Sequence, residues 1–142
     1  MRDTEDLIDQ LNHMLSQEHA CAIRYATHAA VVTGPNAEPI RARLKEISGD
    51  EVEHAEKLRD RIVALGGKPT MEISTVDLKE AYDLKNILQI NMREESDAIA
   101  SYTQILDVIP EENVILYETI RGIIEGEQEH LEELTRLMST TF

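Results

Sequence analysis

Three interruptions, GPNAEP at 34–39, GGKP at 66–69 and Pro110, divide the sequence into four long segments whose apolar residues recur in steps of three and four. That periodicity predicts four helices, from about Asp3 to Thr33, Pro39 to Leu65, Asp83 to Ile109 and Pro110 to Met138. The first and last connections are short, so each joins antiparallel neighbours. The middle one, Gly66 to Tyr82, has 17 residues. At up to roughly 3.3 Å per residue it covers about 55 Å, more than the roughly 40 Å of a helix the length of the second. It can therefore run the length of a bundle. The expected fold is all-α: an antiparallel four-helix bundle with one long crossover between helices 2 and 3, built as a single domain over residues 1–142. Only four Pro, six Gly, one Phe and no Trp agree with a chain made from strong helix formers.

The core stripe of each segment is apolar except at its middle. The first reads Leu11, Met14, Glu18, Ala22, Tyr25, Ala29, Val32, and the second Leu44, Ile47, Glu51, His54, Leu58, Ile62, Leu65. The third reads Ile87, Asn91, Glu94, Ala98, Ser101, Ile105, Val108, and the fourth Leu116, Ile120, Ile123, Glu127, His130, Leu134, Leu137. Each helix thus carries a Glu near mid-length, and two add a His one turn on. Burying such groups is costly unless something pairs with them.

The two halves repeat. Glu18 precedes Glu51 by 33 residues and Glu94 precedes Glu127 by 33, and each second Glu begins a Glu-x-x-His. At the offset of 76 between the halves, Ala22, Ile23, Ile47, Glu53, Glu56 and Leu58 also meet identical residues. A helix pair used twice gathers its polar residues about a pseudo-two-fold axis at mid-bundle. Four carboxylates converging in a dry core would repel one another, and two divalent cations remove the conflict. A metal-free bundle, with Glu and His hydrogen-bonded to one another, is the alternative. Hard oxygen ligands with one imidazole per metal suit iron or manganese, and iron is the expected metal. If Glu51 and Glu127 bridge, each metal also has one His and one terminal Glu, which leaves positions open for dioxygen or peroxide.

With both Glu-x-x-His motifs, the upstream Glu partners and the long crossover in place, the sequence resembles bacterioferritin and the wider ferritin-like di-iron proteins over nearly its whole length. The resemblance implies two iron ions per chain: Glu18 and His54 on one, Glu94 and His130 on the other, Glu51 and Glu127 bridging. It implies ferroxidase activity, in which Fe(II) is oxidised by dioxygen or hydrogen peroxide, with iron storage or detoxification in a homo-oligomer built from dimers. Tyr25, on the same stripe as Glu18, is a candidate catalytic residue that hydrogen-bonds a ligand carboxylate or supplies an electron; an ordinary core tyrosine is the other reading. Haem is not expected, because Val52 stands where the resemblance places the haem-binding methionine. Only twelve residues follow His130, so the short fifth helix of bacterioferritin shells is expected to be absent. The alternatives are a rubrerythrin-like di-iron peroxidase without a storage shell and a starvation-type DNA-protecting shell protein.

The formal net charge of −14 would repel nucleic acid and anionic lipid while concentrating cations, so neither nucleic acid nor a membrane is an expected partner. The start, MRDTEDLIDQ, shows no apolar run like a signal peptide, and the expected location is the cytoplasm. The single Cys21 excludes an internal disulfide and reads as a small buried hydrophobe. Glu46, Asp50 and Glu53 form an acidic face that either guides Fe(II) or is simply solvated. Asn91 either orients a ligand or ends the core. His13, His19 and His28 are expected on the surface without a role, and Met14 and Met92 in packing.

Overall fold

The computed structural model describes residues 2–142, with α1 at Arg2–Val31, α2 at Ala37–Ala64, α3 at Leu84–Leu106 and α4 at Val114–Thr141. Among these residues no helix is long and apolar enough to cross a membrane. Glycine ends α2 where the sequence expects a break. Gly66 takes a positive φ of 86°, its N–H bonds the Val63 carbonyl, and the Gly67 N–H reaches back to Ile62 at 2.9 Å. This is a Schellman closure, and it needs glycine twice: a Cβ on Gly67 would lie 2.7 Å from Ile8. Pro39 sits in the first turn of α2, where its missing N–H costs nothing.

The junction of the last two helices departs from the expectation. α3 ends at Leu106 and α4 starts at Val114, not at Pro110. Asn113 supplies the start signal, its side chain accepting from the Leu116 N–H at 3.2 Å. Asp83 caps α3 in the same way through Asn86.

The helices pair as α1 with α2 and α3 with α4. Cross-bundle contacts run antiparallel: Arg43 meets Glu133 and Asp50 meets His130 between α2 and α4, while Tyr25 meets Glu95 and His28 meets Asn91 between α1 and α3. The crossover climbs along α1. Its residues engage α1 at Asn12 (Lys68 and Thr70), then at His19 (Glu72) and Ser16 (Ser74), then at Arg24 (Asp77) and His28 (Lys79). It ends with the Thr33 N–H bonded to the Tyr82 carbonyl.

The apolar core falls into two clusters. One gathers Leu11, Met14, Leu15, Leu58, Ile62, Tyr102, Ile105, Leu116, Ile120 and Ile123. The other gathers Tyr25, Ala29, Val32, Ile40, Leu44, Ile47, Ile87, Leu88 and Leu134. Between them lies the polar layer. The expected stripes hold for α1, α2 and α4 except that Ala22, Leu65 and Leu137 are only half-buried. In α3, Ser101 is half-buried and Val108 lies beyond the helix end and is exposed, while Leu88, Glu95 and Tyr102 are buried instead. Cys21 is buried, as expected. Truncating a fully enclosed side chain, Leu58→Ala, should cost about 2–5 kcal/mol in urea unfolding, whereas Ile115→Ala on the exposed face of α4 should change stability by no more than about 0.5 kcal/mol.

Candidate metal centre

The polar layer contains six groups, all buried: Glu18 from α1, Glu51 and His54 from α2, Glu95 from α3, and Glu127 and His130 from α4. The i, i+3 spacing of each Glu-x-x-His puts both side chains on one helix face, and the bundle turns those faces inward. His54 Nδ1 lies 3.0 Å from Glu51, 3.3 Å from Glu18 and 3.3 Å from Glu127. His130 Nδ1 lies 3.1 Å from Glu95, 3.3 Å from Glu127 and 3.8 Å from Glu51. The groups form two quartets, Glu18–Glu51–His54–Glu127 and Glu51–Glu95–Glu127–His130, each with ligand atoms within 4.8 Å of one another. Glu51 and Glu127 belong to both, and the imidazole centroids are 6.2 Å apart.

Glu94, expected in this cluster, is outside both quartets and is replaced by Glu95. The Glu94 carboxylate contacts Lys79 of the crossover and lies 3.9 Å from the Arg24 guanidinium. Adjacent helical residues point about 100° apart, so only one of the two can face the centre. The sequence held a signal for the right one. The offset between halves is 76 for α2 and α4, but at 77 Leu7, Leu11, Glu18 and Tyr25 map onto Leu84, Leu88, Glu95 and Tyr102, and all eight are buried. A single offset for both helix pairs selected the neighbour.

The remaining assignments divide. The Tyr25 hydroxyl donates to Glu95 at 2.7 Å, not to Glu18. Asn91 touches none of the six; it accepts from Arg24 Nε at 2.9 Å and contacts His28 at 3.0 Å. His28 is buried rather than on the surface, because the crossover covers it and its Nε2 meets the Lys79 carbonyl at 2.7 Å. His13 is exposed and His19 half-buried against the crossover. Asp50 closes the cluster on one side, its carboxylate 2.9 Å from His130 Nε2.

The electrostatics of the cluster suit a cation. Both oxygens of Glu18, Glu51 and Glu127, and Nδ1 of His54, are buried without a directed hydrogen bond. Such orphaned acceptors are rare in native interiors, and hard carboxylate oxygens with imidazole nitrogen fit a divalent transition metal. Burial, with Glu51 beside it, pushes the Glu18 carboxyl up to about 8. Burial and the same neighbour raise Glu95, and raise Glu127 well above the carboxylate range. Burial would raise Glu51 too, but the close approach of His54, Glu127 and His130 outweighs it and holds Glu51 low. Burial disfavours the imidazolium of His54, yet Glu127, Glu18 and Glu51 drive it up to about 12. His130 likewise rises to about 9 through Glu95, Glu51 and Asp50.

A sequence model of the ferritin-like domain family matches residues 8–141. The chain belongs to that family. This ferritin-like chain is 28% identical over 126 residues to a bacterioferritin of Desulfovibrio desulfuricans, covering 88% of this chain and 70% of that protein. The crystal structure of a ferritin-like di-iron-carboxylate protein from Bacillus anthracis superposes with a TM-score of 0.90 at 30% identity, over 97% of this chain and 99% of the other. A dodecameric thioferritin, the bacterioferritin-related protein of Bacteroides fragilis, gives a TM-score of 0.90 at 27% identity, over 97% and 87% of the two chains.

The pKa directions set a sign. Glu18, Glu95, Glu127, His54 and His130 are all raised by folding, so the metal-free native state holds protons that the unfolded chain has released. Their stabilisation is complete below the unfolded values and is lost as pH rises, through about 8 for Glu18 and about 9 for His130. Glu51 opposes this only on acidification, towards its depressed value. Metal-free protein should therefore lose stability between pH 6.5 and 9 in urea melts, and divalent metal should expel protons at pH 6.5, read as a buffer-dependent heat of binding. Stability that rises with pH would rule out a protonated cluster.

Proposed function

We propose that the chain is a ferroxidase: it takes Fe(II) as substrate at the intra-subunit centre and passes its electrons to dioxygen or hydrogen peroxide. The observation that carries this reading is the pair of buried quartets sharing Glu51 and Glu127. In this reading Glu18 and His54 hold one iron, Glu95 and His130 the other, and Glu51 and Glu127 bridge. Two iron sites so close give up two electrons together, as reduction of dioxygen to peroxide, or of peroxide to water, requires. The four carboxylates balance the charge of two divalent ions and favour the ferric product, which hard oxygen ligands bind more strongly. The Tyr25 hydroxyl, bonded to Glu95, orients that carboxylate and stands within the protein as a further electron donor.

Homo-oligomerisation accompanies this reading, supported by likeness to the dodecameric Bacteroides fragilis protein. Storage or detoxification of the ferric product within such an assembly is the biological outcome we assign.

Aerobic Fe(II) oxidation, followed by ferric absorbance, tests the proposal. Glu95→Ala and His130→Ala should each slow the fast phase by at least about tenfold, whereas Glu94→Ala should stay within about twofold of wild type. Unchanged oxidation in Glu95→Ala and His130→Ala would place the chemistry elsewhere. Iron retained far beyond two per chain supports storage, and a plateau at about two supports catalysis alone.

A further inference from the structure

The two halves of the centre are built from the same helix pair, yet the groups around them differ. On the His130 side the outer partners are complete. Tyr25 donates to Glu95 at 2.7 Å, and Asp50 meets His130 Nε2 at 2.9 Å. Arg43, which lines the same surface cavity as Asp50 and His130, is occupied by both oxygens of Glu133 at 2.9 and 2.7 Å. Asp50 is thus left to the imidazole.

The His54 side lacks these partners. The repeat that carries Glu51 to Glu127 and His54 to His130 carries Asp50 to Gly126, so the position that would match Asp50 offers no carboxylate to the far nitrogen of His54, Nε2. Nor is there room for one in this arrangement: a Cβ on Gly126 would stand 2.9 Å from His54 Nε2 and 3.1 Å from its Cε1. The counterpart of Tyr25 is Tyr102, whose buried hydroxyl has no hydrogen-bond partner, and neither oxygen of Glu18 has one. Among the described residues, the orphaned side-chain atoms are those of Glu18, His54, Tyr102 and the two shared glutamates, and none belongs to Glu95, His130 or Tyr25.

The geometry points to two inequivalent metal positions: Asp50 and Tyr25 act as positioning residues that make the Glu95–His130 position the tighter one, filled first, while the Glu18–His54 position is weaker and exchanges its ion. This deepens the ferroxidase reading and rests on it. An imidazole whose far N–H donates to a carboxylate is fixed in tautomer and orientation and is a more basic ligand, and loss of such a partner typically weakens metal binding about 10–100-fold. A carboxylate held by a tyrosine hydroxyl likewise has less freedom to lose when it ligates.

The test is anaerobic titration of the metal-free protein with Co(II), following heat and visible ligand-field absorption. Wild type should bind two Co(II) per chain in two steps separated by about tenfold or more in affinity. Asp50→Ala should weaken the tighter step about 10–100-fold and leave the weaker one in place, so that the steps merge or exchange order. Tyr25→Phe should shift the same step in the same direction. Circular dichroism of each metal-free variant checks that the bundle is intact, and Asp50, 45% exposed, can be truncated without opening the core. Two Co(II) bound with equal affinity in wild type, or an Asp50→Ala effect shared by both steps or absent from both, would overturn the inference while leaving the dinuclear centre standing. Fewer than two Co(II) per chain would overturn the dinuclear reading itself.

Discussion

Four carboxylates and two imidazoles sit in the middle of a helical bundle with little access to water, and the surrounding structure answers to that placement. Moving an ionised carboxylate from water into such a layer costs several kcal/mol, and each further carboxylate adds repulsion at short range. The apolar core is divided by this layer into two clusters, whose combined burial must hold the helices together across an unfavourable middle. In the metal-free chain, shared protons and the two histidines supply the compensation: Glu18, Glu95 and Glu127 are driven towards the neutral acid, and both imidazoles towards the cation. Two divalent ions would supply positive charge there in fixed positions.

The crossover shapes the centre from outside. By climbing along α1 it buries Arg24 and His28 and brings Lys79 to Glu94. Arg24 in turn is tied to Asn91 of α3, to Cys21 and to the Asp77 carbonyl. This network clamps α1 to α3 beside the carboxylate layer and occupies Glu94, the acidic residue next to Glu95. The residue that looks like a ligand by the repeat is thereby a structural anchor, and its neighbour turns inward.

Much of the architecture was legible because helical periodicity and helix-ending residues are local. Four segments, the long crossover and the carboxylate layer follow from the spacing of apolar residues and from GPNAEP and GGKP. Five of the six cluster residues were readable in the same way, because Glu18, Glu51, His54, Glu127 and His130 interrupt otherwise apolar stripes. The start of α4 was less legible. Pro110 is a strong breaker, but Asn113 has the side chain that accepts the free N–H of the first turn.

The sequence by itself determined that acidic and imidazole groups must meet at mid-bundle, since each helix carries its carboxylate at a matching depth and no local structure can solvate it there. The tertiary structure decided which carboxylate α3 contributes and how the two halves differ. Glu94 and Glu95 are adjacent and both are compatible with helical burial; one internal offset points to Glu94 and the other to Glu95, so the repeat alone does not choose between them. The choice is made by the rotation of α3 against α1 and by Lys79 and Arg24 arriving from elsewhere in the fold. Likewise Asp50 and Gly126 acquire opposite roles only when α2 and α4 pack antiparallel, which sets a carboxylate against one imidazole and bare backbone against the other. Periodicity fixes depth along a helix, whereas rotation about its axis is fixed by the partners against which it packs.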